Sequence, residues 1–189
     1  KRPTSQKRAL SYFGYEGVPP VMCIPEGFAA RVRNSTKLTK TASSNDADIF
    51  TINIAKAVGI DTLVSINPAP PMTYYADAVD SLYRAVEADF PADIGLGAVM
   101  GGTAPATIAG ATLSSNATLI GGIVMAQLIK PGAKVAISKL IFPQNMRSGM
   151  PAFGAIESAL SNAVFCQYFR RLGVPIRVST GGPSSSKKI

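Results

Sequence analysis

The chain has 189 residues, 47% of them hydrophobic and only 16% charged. That length suits one domain with a sizeable core, and the charge content lies below the usual quarter or so, as expected of a homo-oligomer or of part of a large barrel. The formal net charge of +8 sits at the two ends: residues 1–40 carry eight basic and two acidic side chains, Lys187 and Lys188 add two more, and residues 41–186 carry nine of each. A basic face with interleaved aromatics is missing, so nucleic acid is not an expected partner. There is no histidine, which excludes Ser-His-Asp and Cys-His catalysis and imidazole-ligated metal sites.

Cys23 and Cys166 read as two buried thiols rather than a disulfide or a metal site. No apolar run reaches about 18 residues without polar interruption, so no stretch reads as a transmembrane helix. Val21 to Ile24 is too short for a signal-peptide core. The expected location is therefore cytoplasmic, with no membrane partner.

Residues 1–35 hold no sustained period and are punctuated by Pro19, Pro20 and Pro25, which reads as an irregular N-terminal arm. Its Tyr12, Phe13 and Tyr15 are expected to pack on a neighbour. Residues 36–189 read as one α/β domain. Lys37 to Thr41 is a short candidate strand. Ser43, Ser44 and Asn45 offer N-caps for a helix over Asp46 to Val58. Ile49, Ile52 and Ala55 form its stripe, widened by Phe50, Ile54 and Ala57, and Gly59 is its C-cap. Leu63 to Ile66 is the next strand, followed by the rigid loop Asn67 to Met72. Thr73 to Asp89 reads as a helix with Ala76, Val79, Tyr83 and Val86 on its buried face.

Ile94 to Met100 is apolar and glycine-spaced, as a fully buried strand can be. Gly101 and Gly102 end it, and Thr103, Ala104 and Pro105 lead into a helical pattern that is well formed from about Ser115 to Lys130. Gly121-Gly122 within that helix implies close approach of a neighbour, at a propensity cost. Lys134 to Phe142 is a strand, Asn145 to Phe153 a loop, and Gly154 to Leu172 a helix with Ile156, Leu160, Ala163, Val164 and Tyr168 inward. Pro175 to Ser179 is the last strand, with Thr180 to Pro183 as its loop.

This alternation predicts a parallel sheet with crossover helices, either doubly wound or a barrel. About five units fit, whereas a complete (β/α)8 barrel of the triosephosphate isomerase (TIM) type needs about 250 residues. The expected fold is thus a partial TIM barrel, and the chain reads as a fragment. Ligands of such folds bind at the carboxyl ends of the strands. Four loops meet there: Asn67-Pro68, Gly101 to Pro105, Pro143 to Met146, and Thr180 to Pro183.

Residues 97–182 resemble the trimethylamine methyltransferase family. The resemblance rests on GAVMGGTAPATIAGATLSSNATLIGGIVMAQLIKPGAKV and on NMRSGMPAFGAIESALSNA, and SINPAPPMTYYADAVDSLYRAVEA resembles the family's preceding unit. It implies a TIM barrel whose middle strands this chain supplies, and an enzyme that moves a methyl group from a methylated amine to the Co(I) of a partner corrinoid protein. Trimethylamine-specific members carry pyrrolysine in a loop that aligns with Gly181-Gly182-Pro183-Ser184. Pro183 stands at that position, so the chain resembles the branch that acts on glycine betaine and related quaternary amines. A reading frame ending at an amber codon is the alternative.

Reduced cobalt is a strong nucleophile and a quaternary ammonium carries a neutral leaving group. The protein then needs to hold a cation, orient a methyl and exclude water, with no metal of its own. Tyr74, Tyr75, Phe142 and Phe153 are candidates to face the cation. Asn67, Thr103, Gln144, Asn145 and Thr180 could bind a carboxylate or the corrinoid edge, and Arg147 is the expected carboxylate partner. Gly101, Gly102, Gly181 and Gly182 shape the loops. Two other readings stay open: a non-catalytic or truncated homologue, and a phosphate-binding α/β enzyme with Gly101-Gly102 as anion cradle.

Overall fold

The computed structural model describes residues 17–37, 39–41 and 46–178. The expectations for Tyr12, Phe13 and Tyr15, for the caps Ser43 to Asn45, and for Thr180, Gly181, Gly182 and Pro183 lie outside the described residues. The elements are α1 (Cys23–Asn34), β1 (Thr39–Lys40), α2 (Ala47–Val58), β2 (Thr62–Ile66), α3 (Ala76–Glu87), β3 (Ala92–Met100), α4 (Ile108–Ile129), β4 (Val135–Pro143), α5 (Ile156–Arg171) and β5 (Ile176–Val178). The five strands form one open parallel sheet in the order β1-β2-β3-β4-β5. This order never reverses, so it contains no switch point of the doubly wound kind. The helices neighbour one another in the same succession and lie against the strands they connect.

Strand alternation sorts the sheet into two faces. Val64 and Ile66 of β2, Ala92, Ile94 and Leu96 of β3, and Ile137 of β4 share a core with Leu82, Leu119, Ala126, Phe165 and Phe169 of the helices. Each such large side chain contributes about 1.5–3 kcal/mol by leaving water. The other face carries Lys40, Ser65, Asp93, Gly95, Gly97, Ser138 and Arg177, as the pairings Lys40↔Leu63, Ser65↔Asp93, Gly95↔Ser138 and Ser138↔Arg177 require.

The structure corrects several expectations. The irregular arm contains a 3-10 turn at Pro20–Met22 and the helix α1; prolines hid it, yet they occupy the first turns, where no intrahelical N–H bond is lost. In α3 the buried face is Ala78, Ser81, Leu82, Ala85 and Val86, while Tyr83 is half exposed. In α5 the buried residues are Ser158, Ser161, Phe165 and Phe169, and the predicted stripe Ile156, Leu160, Val164 and Tyr168 faces outward, Ile156 being 72% exposed. The small Ser161 meets Thr112 of α4 at 3.5 Å, and Phe165 and Phe169 fill the space against the sheet.

Helix α4 begins seven residues earlier than expected, because Thr107 caps it by accepting the Gly110 N–H at 3.1 Å. At 22 residues it is long and apolar enough to cross a membrane by length and composition. It lies instead between α3 and α5 against β3 and β4, with Ala111, Leu119 and Ala126 fully buried. The close neighbour implied by Gly121-Gly122 is Tyr74. A Cβ on Gly122 would run into the Tyr74 hydroxyl oxygen.

Candidate functional site at the carboxyl ends of the strands

The turn after β3 is held by its own backbone. Gly101 takes φ +85°, which a residue with a Cβ rarely adopts. The Gly101 N–H donates to Ala104 O, and the Gly102 and Ala104 N–H groups both donate to Val99 O, each at 3.0 Å. Thr103 Oγ1 accepts the Val99 N–H at 3.0 Å. The turn argues against the alternative reading of Gly101-Gly102 as an anion cradle: both N–H groups are engaged inside the turn. Thr103 is a structural cap of the same turn.

The loop after β4 leans against that turn. The Gln144 N–H donates to Met100 O at 3.0 Å. A Cβ on Gly102 would come within 2.9 Å of Gln144 Oε1, and one on Gly101 within 3.5 Å of Met146 Sδ. Gln144 Nε2 donates to Gly149 O at 3.2 Å. Asn145 Oδ1 accepts the N–H groups of Arg147 and Ser148 at 3.0 and 3.3 Å, the Asx-turn arrangement. Gln144 and Asn145 thus shape the loop, and Arg147 stands exposed on its outer turn with no ion pair among the described residues. Phe142 and Phe153 pack with ring centroids 4.4 Å apart at 55°. Phe142 is on the polar face of the sheet, opposite Val99 of β3.

Asn67 follows β2 on that same face, and its Oδ1 accepts from Ser65 Oγ at 3.4 Å. The rest of this loop turns towards the helices. Met72 N–H donates to Thr118 Oγ1 at 3.3 Å and the Tyr74 hydroxyl to Thr118 O at 2.8 Å. Burial pushes the Tyr74 hydroxyl up to about 12, so it remains a donor. Tyr74 is committed to α4, and Tyr75 sits exposed at the start of α3. The structure therefore brings together Gly101, Gly102, Thr103, Gln144, Asn145, Arg147 and Phe153 on two adjoining loops, with Phe142 at the end of β4. Asn67 lies one strand away.

Sequence reasoning missed a charged cluster below these loops. Asp93 is fully buried, and its Oδ2 accepts from Lys40 Nζ at 3.1 Å and from Arg177 Nη2 and Nε at 2.7 and 3.1 Å. Arg177 Nη2 also donates to Ser138 Oγ at 3.0 Å. The missed signal is the period-two run Asp93, Gly95, Gly97 inside an otherwise apolar strand. On the opposite face, Lys139 Nζ lies 5.2 Å from the Phe165 ring centroid and has no hydrogen-bond partner among the described residues. Burial lowers its pKa from 10.5 to about 8. Cys23 and Cys166 are free thiols, each partly buried.

A family profile described as trimethylamine methyltransferase (MTTB) matches residues 30–189. Over 124 residues the chain is 35% identical to the glycine betaine methyltransferase of Desulfitobacterium hafniense, covering 66% of this chain and 26% of that protein. It is 31% identical over 117 residues to the proline betaine:corrinoid methyltransferase of Eubacterium limosum, covering 62% and 24%. It is 30% identical over 122 residues to the trimethylamine methyltransferase MttB2 of Methanosarcina mazei, covering 65% and 24%. The chain spans about a quarter of the length of these curated relatives. Matched over most of its length, the chain belongs to the trimethylamine methyltransferase family.

Proposed function

We propose that this chain is part of a methyltransferase that transfers a methyl group from trimethylamine or a glycine-betaine-type quaternary amine to a corrinoid protein, and that its open sheet is a segment of a (β/α)8 barrel. The consecutive, wholly parallel strand order supports the barrel. Family membership supports the reaction class, and the names of the relatives include both betaine and trimethylamine donors. The observation that carries the site is the meeting of the post-β3 and post-β4 loops beside the Phe142–Phe153 pair.

The corrinoid supplies a Co(I) nucleophile when its carrier is bound. The chemistry of this chain's side chains fits that division of labour: it has no histidine to ligate cobalt or act as a general base, and a quaternary ammonium releases a neutral amine without needing a proton, whereas trimethylamine would react as trimethylammonium and keep its proton on the departing dimethylamine. This chain's residues bind and orient the donor. The aromatic faces of Phe142 and Phe153 attract a methylated cation by about 0.5–2 kcal/mol per ring, and the self-bonded turn at Gly101 to Ala104 holds the rim still. Fixing donor and acceptor in line supplies the rate advantage of a pre-organised pair.

The test is methyl transfer to reduced cobalamin, followed by its absorbance change, with trimethylamine, glycine betaine and carnitine as donors. The reading expects turnover with at least one of them. Transfer from none by the intact protein with its carrier would refute it.

A further inference from the structure

On the polar face, β3 places two glycines in succession above Asp93. A Cβ on Gly95 would meet only Ser138 Oγ at 2.8 Å and Asn67 Oδ1 at 3.5 Å, and one on Gly97 would meet nothing within 4 Å. The middle strand of the sheet is thus bare of side chains over these two positions, and a trough results. Ser65 and Asn67 of the β2 side flank it, as do Ser138 and Leu140 of β4. Its upper end lies towards Phe142, two pleats above Ser138.

The lower end is charged. Lys40 and Arg177 both bond the carboxylate Asp93 there. Arg177 uses Nε and Nη2 on Asp93 and Ser138. Its Nη1 bears none of these bonds and has no partner among the described residues. Asp93 Oδ1 is buried and also without one. Ser138 Oγ, which borders the space over Gly95, accepts directly from Arg177. A guanidinium with a free donor beside a side-chain-free trough can take a planar anion; the unpartnered Asp93 Oδ1 below it is an acceptor and adds nothing to that binding.

We propose that the Gly95–Gly97 trough binds the carboxylate of a zwitterionic methyl donor, with Arg177 as its anchor and Ser138 and Asn67 beside it. Arg177, rather than Arg147, then sets the preference for carboxylate-bearing amines over simple methylated ones. This assignment rests on the methyl-transfer reading for its substrate class, but the binding itself is measurable without turnover.

The experiment is calorimetric binding of glycine betaine and of tetramethylammonium, which lacks the carboxylate, to the intact protein and to Arg177→Gln. Methyl transfer to reduced cobalamin from the same two amines is run alongside. Arg177→Gln is expected to weaken glycine betaine binding at least tenfold and to leave tetramethylammonium within twofold. Because Arg177 also pairs with Asp93, Gly97→Ala is the second variant. A Cβ there meets nothing within 4 Å, so it narrows the trough without touching Ser138 or the ion pairs and is expected to show the same selectivity at an unchanged melting temperature. Equal losses for both amines, or no loss for either, would overturn the trough assignment. Selective loss of glycine betaine binding with no methyl transfer from either amine would keep the trough and remove the proposed reaction instead.

Discussion

The two faces of the sheet are made from alternate residues of the same strands, yet they follow different rules. The helix-covered face is filled by Val64, Ile66, Ile94, Leu96, Ile137 and the rings of Phe165 and Phe169. The other face has a buried carboxylate, two cations, serines and two glycines where a core would have aliphatic side chains. A strand needs only one packed face to hold its place, and here that face is the helical one. The second face is therefore free to carry polar groups, at a desolvation cost that the shared ion pair offsets. Stability is expected to respond to the first face, and ligand preference to the second.

The largest expected effect is on the helix-covered face. Phe165→Ala removes a fully buried ring and should cost about 3–5 kcal/mol in chemical denaturation. A loss below about 1 kcal/mol would mean that the core is elsewhere. Next is a charged residue on that face. Lys139 has a folded pKa of about 8 against an ordinary 10.5, so the unfolded chain binds more protons between those values. Stability should rise with pH from about 8 to about 10.5, and be lowest below pH 8, where the buried amine must carry its charge. Lys139→Met should flatten that rise and raise stability at pH 7 by about 2–3 kcal/mol. An unchanged pH profile would show that Lys139 reaches solvent. The smallest effect is at the join between the post-β2 loop and the helices. Tyr74→Phe deletes the 2.8 Å bond to Thr118 O and should cost about 1 kcal/mol, without changing donor preference. A change in that preference would put Tyr74 at the site.

Much of the helix-covered face could be read from the chain, because burial leaves a period. The apolar runs of β2 and β4, the glycine stop at Gly59, and the strand–turn–helix step at Gly101 appear near their expected places. Helix faces were harder. In α5 the outward stripe Ile156, Leu160, Val164 and Tyr168 is more regular than the buried set, and the buried serines look polar in a periodicity count. In α3 the same happened with Ser81 and Ala85. At the candidate site, loop positions were legible because strands ended in Gly or Pro. The roles of individual polar residues were not. Thr103, Gln144 and Asn145 look like ligand groups in sequence, but bond to their own loops in space. Arg177 gave no local sign, since its partner Asp93 lies 84 residues away.

Ile141 and Phe142 are neighbours in β4 on opposite faces; both are buried, Ile141 beside Ala98 and Ala111 and Phe142 against Phe153. Measuring kcat/KM for methyl transfer together with Tm for Ile141→Val and Phe142→Leu tests the division of the sheet most directly. The account predicts that Ile141→Val lowers Tm and leaves kcat/KM within twofold, while Phe142→Leu, which also removes buried ring surface, lowers kcat/KM at least tenfold as well as Tm. Equal effects of the two variants on both quantities would contradict it.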